Sequence, residues 1–217
     1  MISALRHIHQ RRTELRESID VKKHFEEWEE TCVPSYCHPN LAASYVSWWR
    51  LFKSVQLAKS CLAETDSEIE ILDFGSSVGE LGHMVPDMNY HFIEEEEIAV
   101  EQLKSSQPEA VRHTLEELPS GFFDVIFALD SLEHNKNYEE LLVKLSAGLK
   151  PGGIIVISGP TESFFYKLGR RLAGFDGHYH ETNIYNIENS GSEFMKLVRV
   201  SSLPILTPLF RISVWRT

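Results

Sequence analysis

Cysteine is scarce in this chain: three in 217 residues, Cys32, Cys37 and Cys61. An odd number at such spacings is no disulfide framework and suits a reducing compartment. Basic residues are also in deficit, 21 Lys and Arg against 32 Asp and Glu, for a net charge of −11. That balance argues against a nucleic-acid partner, because phosphate backbones require clustered cations. Two small basic clusters, Arg11-Arg12 with Arg16 and Lys167 with Arg170-Arg171, read as solvated surface. No apolar run approaches the roughly 20 residues of a spanning helix, so stable membrane insertion is not expected. The first twelve residues hold charges and no apolar core, which is unlike a signal peptide. The expected location is cytoplasmic. Repeats and low-complexity tracts are absent.

What the chain does contain starts with Ile71-Leu72-Asp73-Phe74-Gly75-Ser76-Ser77-Val78-Gly79. An apolar strand runs into an acid and then into a glycine-bearing turn. Glycine serves where the backbone needs positive φ or must come within contact distance of a ligand. The carboxylate of Asp73 at this strand end attracts cationic or hydroxyl-rich groups and repels a pyrophosphate. A cationic cofactor is therefore expected, and the spacing Gly75 to Gly79 does not make the G-x-G-x-x-G of a dinucleotide site.

From residue 70 short apolar runs alternate with polar helical segments. Strands are expected at Glu70–Phe74, Tyr90–Glu94, Val111–Thr114, Asp124–Leu129 and Ile154–Ser158, a βαβ rhythm that implies a parallel sheet. Right-handed crossovers bring the carboxyl ends of those strands to one edge, where such a sheet takes its ligand. A final pair, Met195–Ser202 and Leu209–Trp215, has a connection too short for a crossover helix and is expected to be an antiparallel hairpin. Upstream, residues 3 to 30 suggest one or two exposed helices. Leu41, Tyr45, Trp48, Phe52 and Val55 share one helical face that would pack on the sheet or cover its ligand edge.

Four features thus occur in order: Asp73-x-Gly75, an acid ending the second strand, Phe123-Asp124-Val125-Ile126, and Leu149-Lys150-Pro151-Gly152-Gly153. Together they resemble the class I S-adenosylmethionine-dependent methyltransferases over about residues 66 to 160. The resemblance implies a Rossmann-like, doubly wound, mostly parallel sheet of seven strands with a C-terminal antiparallel hairpin. Residues 66–217 would form the S-adenosyl-L-methionine-binding domain and residues 1–65 an N-terminal helical cap. It also implies that Asp73, Phe74, Gly75, Ser76, Ser77 and Gly79 lie against the amino acid part of the cofactor. Glu94, about 20 residues beyond Gly75, would take the ribose hydroxyls, with Glu95 as the alternative. The other reading of this acidic run is a helix start that favours the dipole. Thr114 stands where the family commonly has an acid for the adenine amino group, so Leu115 and nearby backbone would share that task. Ser77 replaces a common second glycine. Leu129 ends the fourth strand beside the cofactor.

For the chemistry, Asp130-Ser131-Leu132-Glu133-His134 follows that strand, where the family faces the methyl group. Asp130 and His134 are candidate bases there, and His134 reads equally well as a packing or capping residue. The acid-x-x-Glu-His pattern is also similar to a segment of ubiquinone-pathway O-methyltransferases associated with a divalent cation and membrane contact. No metal is assigned, since the two adjacent helical residues diverge by about 100° and a third ligand is missing. Cys32, Cys37 and His38 likewise lack a fourth ligand. His178 and His180, in Gly174-Phe175-Asp176-Gly177-His178-Tyr179-His180, are further candidate bases or loop-fixing residues. The chain carries no Asn-Pro-Pro-aromatic motif of amino-nucleophile enzymes. Methyl transfer to a hydroxyl of a small molecule, free or sugar- or lipid-linked, is expected, with a catalytically inactive binding or scaffold protein as the alternative. Gly75→Arg or Asp73→Ala is expected to abolish cofactor binding while leaving the fold.

Overall fold

A computed structural model describes residues 2–19, 28, 31–62, 67–161, 182–204 and 208–217. Seven strands form one sheet in the order β3-β2-β1-β4-β5-β7-β6. They are β1 (Glu70–Phe74), β2 (Asn89–Ile93), β3 (Val111–Arg112), β4 (Phe123–Leu129), β5 (Leu149–Pro160), β6 (Lys196–Leu203) and β7 (Phe210–Arg216). The first five pair in parallel, while β7 runs antiparallel to both β5 and β6. The expected doubly wound sheet and terminal antiparallel pair are both present.

Strands in the middle of the sheet are apolar on both faces because both are covered. On one face Ile71, Phe127, Val156 and Val214 join residues of the amino-terminal helices in one core cluster. On the other, Leu72, Ile126, Ile155 and Ile157 pack with α5 (Tyr138–Gly148) and α6 (Ile184–Gly191). Helix α4 (Glu97–Ser106) covers β2 through Val100 and Leu103. Two sequence motifs meet at the amino-terminal end of the sheet, where Lys150 Nζ donates to Asp124 Oδ2 at 2.7 Å. The backbone N–H of Glu70 donates to the same oxygen at 2.9 Å, tying β1, β4 and β5 together.

The amino-terminal helices are α1 (Ile2–Ser18), the short α2 (Val33–Tyr36) and α3 (Leu41–Cys61). Asn40 caps α3, its side chain accepting from Ala42 N and Ala43 N. Two expectations need correction here. Helix α1 is docked rather than exposed: Ile8, Arg12 and Leu15 are all buried. The buried stripe of α3 is also shifted from the aromatic face, running through Ser44, Ser47, Trp48, Leu51, Ser54, Val55 and Ala58, with Leu41 exposed. Serines fit there because their hydroxyls are satisfied inside the cap. Ser44 Oγ donates to Tyr36 O at 2.7 Å and accepts from Arg12 Nε at 2.9 Å. Helix α3 lies against β5, β6 and β7, and so brings the cap over the carboxyl half of the sheet.

Candidate active site

The glycine turn after β1 is held by its own backbone. Gly75 N and Ser76 N both donate to Ile93 O at the end of β2, at 2.9 and 3.3 Å. Three residues have positive φ: Gly75 at 73°, Ser77 at 49° and Gly79 at 77°. A Cβ on Gly75 would lie 2.6 Å from Ser131 Cβ, and one on Gly79 would lie 2.5 Å from Leu103 Cγ. Both glycines therefore let the turn close against the loop after β4 and against α4. This corrects the expectation that a side chain at Gly75 leaves the fold intact.

Asp73 is buried, 4% exposed. Burial pushes its carboxyl up to about 7, against the hydrogen bond from Tyr90 Oη at 2.7 Å; Glu94 adds to the rise and Arg50 opposes it. Glu94 is half-buried and folded back on the turn, accepting from Ser77 N at 2.6 Å and from Glu95 N and Glu96 N at 2.9 and 3.0 Å. The acid thus serves the helix start: Oε1 already accepts twice, from Glu95 N and Glu96 N, while Oε2 accepts once and keeps a second lone pair for a hydroxyl donor. Glu95 is exposed, as is Thr114, whose Oγ1 donates to Glu117 Oε2 at 3.3 Å. Leu115 is half-buried against the core, and Phe74, Ser76 and Leu129 are buried.

Charges that periodicity did not reveal complete the site. Arg50 on α3 is 2% exposed and pairs with Asp130, the residue that follows β4 at a φ of 52°. Ser158 holds Asp130 from β5, its backbone O accepting from Asp130 N at 2.9 Å and its Oγ donating to Oδ1 at 3.3 Å. The guanidinium also lies 5.1 Å over the Phe210 ring, a cation–π contact. Glu133, 1% exposed, is inside, whereas His134 is exposed. Cys32 N donates to Ser77 Oγ at 3.3 Å, so the cap touches the glycine turn directly. Burial raises the Cys32 thiol; Arg50 draws it down and Glu94, Asp73 and Glu133 push it up, which puts all five groups within one electrostatic neighbourhood. His178 and His180 lie outside the described residues. Among the described residues no group of three His, Cys, Asp or Glu side chains could hold a metal ion.

Arg50, Tyr36, Tyr90 and Ser158 were not anticipated. The only sequence signal for Arg50 was a cation inside an otherwise apolar and small-residue stripe of α3. Two of the buried polar atoms, Arg50 Nε and Ser131 Oγ, have no hydrogen-bond partner among the described residues. A ligand carrying both an ammonium and a carboxylate fits this set: Asp73 suits the first group, Arg50 the second.

The methyltransferase domain family model matches residues 45–189. The chain belongs to that family. It is an S-adenosylmethionine-dependent methyltransferase by fold and family, and S-adenosyl-L-methionine is the cofactor its family implies. A structure of an S-adenosylmethionine-dependent methyltransferase from Mesorhizobium loti superposes with a TM-score of 0.61 at 15% identity, covering 79% of this chain and 98% of that one. The N-methyltransferase NodS from Bradyrhizobium japonicum, in complex with S-adenosyl-L-homocysteine, gives 0.62 at 14% identity over 79% and 87%. Magnesium protoporphyrin IX methyltransferase from Synechocystis, also with S-adenosyl-L-homocysteine, gives 0.65 at 14% identity over 89% and 94%. At such identities the likeness is one of fold. Comparison with curated proteins finds no match. No helix among the described residues of this methyltransferase is long and apolar enough to cross a membrane.

Proposed function

We propose that this methyltransferase transfers a methyl group to a hydroxyl of a small molecule, bound between the cap helices and the loop after β4. The supporting observation is the cap-to-core bridge: Arg50 with Asp130, and Cys32 with Ser77, close the carboxyl edge of β1 and β4 from one side. A walled, dry site is what methyl transfer needs, since water competes for the methyl group and weakens the electrostatics. When bound, S-adenosyl-L-methionine supplies the methyl group as an activated sulfonium, so the protein's task is alignment and proton removal.

In this reading Asp73, with Phe74, Gly75, Ser76, Ser77 and Gly79, holds the ammonium end of the cofactor, and Arg50 takes its carboxylate. Glu94, or Glu95 beside it, accepts from the ribose, while Thr114, Leu115 and Leu129 border the adenine and the reacting end. Asp130 is engaged by Arg50 and Ser158, which assigns it to positioning. His134, on the short turn Leu132–His134 at the carboxyl edge, then takes the hydroxyl proton, a role open also to His178 and His180. Buried charges gathered at one strand edge favour an active enzyme over a scaffold, because perturbed charges of this kind cluster at functional sites.

The test is a panel of phenols, catechols, sugars and lipid-linked alcohols, with matching amines, incubated with protein and methyl-tritiated cofactor. Label transferred to a hydroxyl supports the proposal. Transfer to amines alone corrects the acceptor, and cofactor binding with no transfer to any acceptor favours the scaffold reading.

A further inference from the structure

Tyr90 stands beneath the glycine turn, in a place the family pattern does not single out. In the parallel β1–β2 pair Ile71 lies opposite Tyr90 and Asp73 opposite Phe92. The two-residue period of strands puts Asp73 and Tyr90 on one face of the sheet, one step apart along the strands. The phenol reaches along that step and donates to Asp73 Oδ2 at 2.7 Å. Phe92 stacks at 6.4 Å on one side of the ring. Gly82 lies on another side, where an added Cβ would come to 3.0 Å from Tyr90 Cδ1. Among the described residues this is the one side-chain hydrogen bond that the Asp73 carboxylate receives.

We propose, building on the cofactor site assigned above, that Tyr90 is a positioning residue for cofactor binding. Its hydroxyl fixes the Asp73 carboxylate and keeps it ionised, and so sets the pH below which the enzyme releases its cationic cofactor. The charged and titratable groups around Asp73 are Glu94 from the turn after β2, Arg50 from α3, and Cys32 and Tyr36 from the cap. Burial and Glu94 favour the neutral acid, while Tyr90 and Arg50 favour the carboxylate. Tyr90 can play this part at any physiological pH, because burial raises its own phenol well above the ordinary value and keeps it a donor. Removing one hydrogen bond to a charged acceptor moves its titration upward by about one pH unit, which is tenfold in the ionised fraction once both forms are mostly protonated.

The experiment compares wild type with Tyr90→Phe, which keeps the ring and its packing. Dissociation constants for S-adenosylmethionine are measured by calorimetry from about pH 6 to about pH 8.5, and the variant-to-wild-type ratio cancels whatever the ligand itself titrates. The ratio is expected near one at about pH 8.5 and to climb to about ten at about pH 6. A ratio that stays flat across the range, at one or at any larger value, overturns the proposal, since a packing defect weakens binding equally at every pH. Carboxyl carbon NMR of Asp73 in the cofactor-free proteins gives a separate answer. Its midpoint should move up by about one pH unit in Tyr90→Phe, and an unmoved midpoint overturns the role of Tyr90. Failure of wild type to bind at any pH instead sinks the cofactor site itself, and with it the pH-setting role.

Discussion

Arg50 of α3 is ion-paired with Asp130, the left-handed residue immediately after β4. One member is in the cap and the other at the strand end, so the pair joins the two halves of the site. Removing one partner of a buried pair leaves an uncompensated charge, whereas removing both is far milder. Arg50→Leu should therefore lower the unfolding free energy by about 3 kcal/mol. The double variant Arg50→Leu with Asp130→Asn should recover much of that loss in a urea-unfolding cycle. Additive losses would show that the two residues do not depend on one another.

Asp73 opposes the fold that holds it. Its carboxyl rises from 3.8 to about 7 on folding, so the folded state binds that proton more tightly than the unfolded chain. The advantage to the fold is complete below the unfolded value and is lost as pH rises to about 7. Asp73→Asn, with no charge to bury, should be more stable than wild type at about pH 8, by on the order of 3 kcal/mol, while losing cofactor affinity. The gain should vanish below about pH 4, as followed by thermal melts. A gain independent of pH would contradict the assignment of Asp73 as a buried charge.

The dock of α1 carries the opposite sign. Arg11 donates to Glu80 through Nε and Nη2 at 3.1 and 2.9 Å, and beside them His7 Nε2 and His83 Nε2 are buried without partners among the described residues. Burial, helped by Arg11 and His7, lowers His83 from 6.5 to about 4. The neutral imidazole is therefore the one the fold accepts. Its contribution is complete above the unfolded value and is lost as pH falls from 6.5 to about 4. His83→Gln should flatten the acid side of the stability profile in that window; an unchanged slope would place the acid sensitivity elsewhere.

Gly75→Ala meets two separate penalties, a left-handed φ of 73° and a Cβ 2.6 Å from Ser131 Cβ. Together these should cost about 3 kcal/mol of stability. Pairing it with Ser131→Gly relieves the contact and leaves the backbone strain, so the double variant should return part of the loss in chemical denaturation. No recovery would mean that Ser131 is not the neighbour that matters.

The sheet was legible because its signals are local. Apolar runs such as Ile154–Ile157, the glycine turn and the close spacing of β6 and β7 each settle an element from a few neighbouring residues. Asp73 and Glu94 were legible for the same reason, being strand-end acids. What escaped was long-range. Arg50 and Asp130 are 80 positions apart in the sequence, and a cation within the small-residue stripe of α3 does not name the carboxylate that pairs with it. The serines of α3 fall outside the face formed by Leu41, Tyr45, Trp48, Phe52 and Val55, and their hydroxyl partners, Tyr36 O and Arg50 O among them, are identified only by packing or by the helix itself. Glu133 and His134 are adjacent in sequence, and only the short helical turn decides that the acid goes in and the imidazole out.

Calorimetric titration of S-adenosylmethionine into wild type and into Arg50→Leu, Asp73→Asn and Glu94→Gln tests the site most directly. Micromolar binding to wild type, weakened at least about tenfold in each variant that remains folded, is the expected result. Wild-type affinity in all three folded variants, or NAD binding in place of S-adenosylmethionine, would contradict the site at the carboxyl edge of β1 and β4.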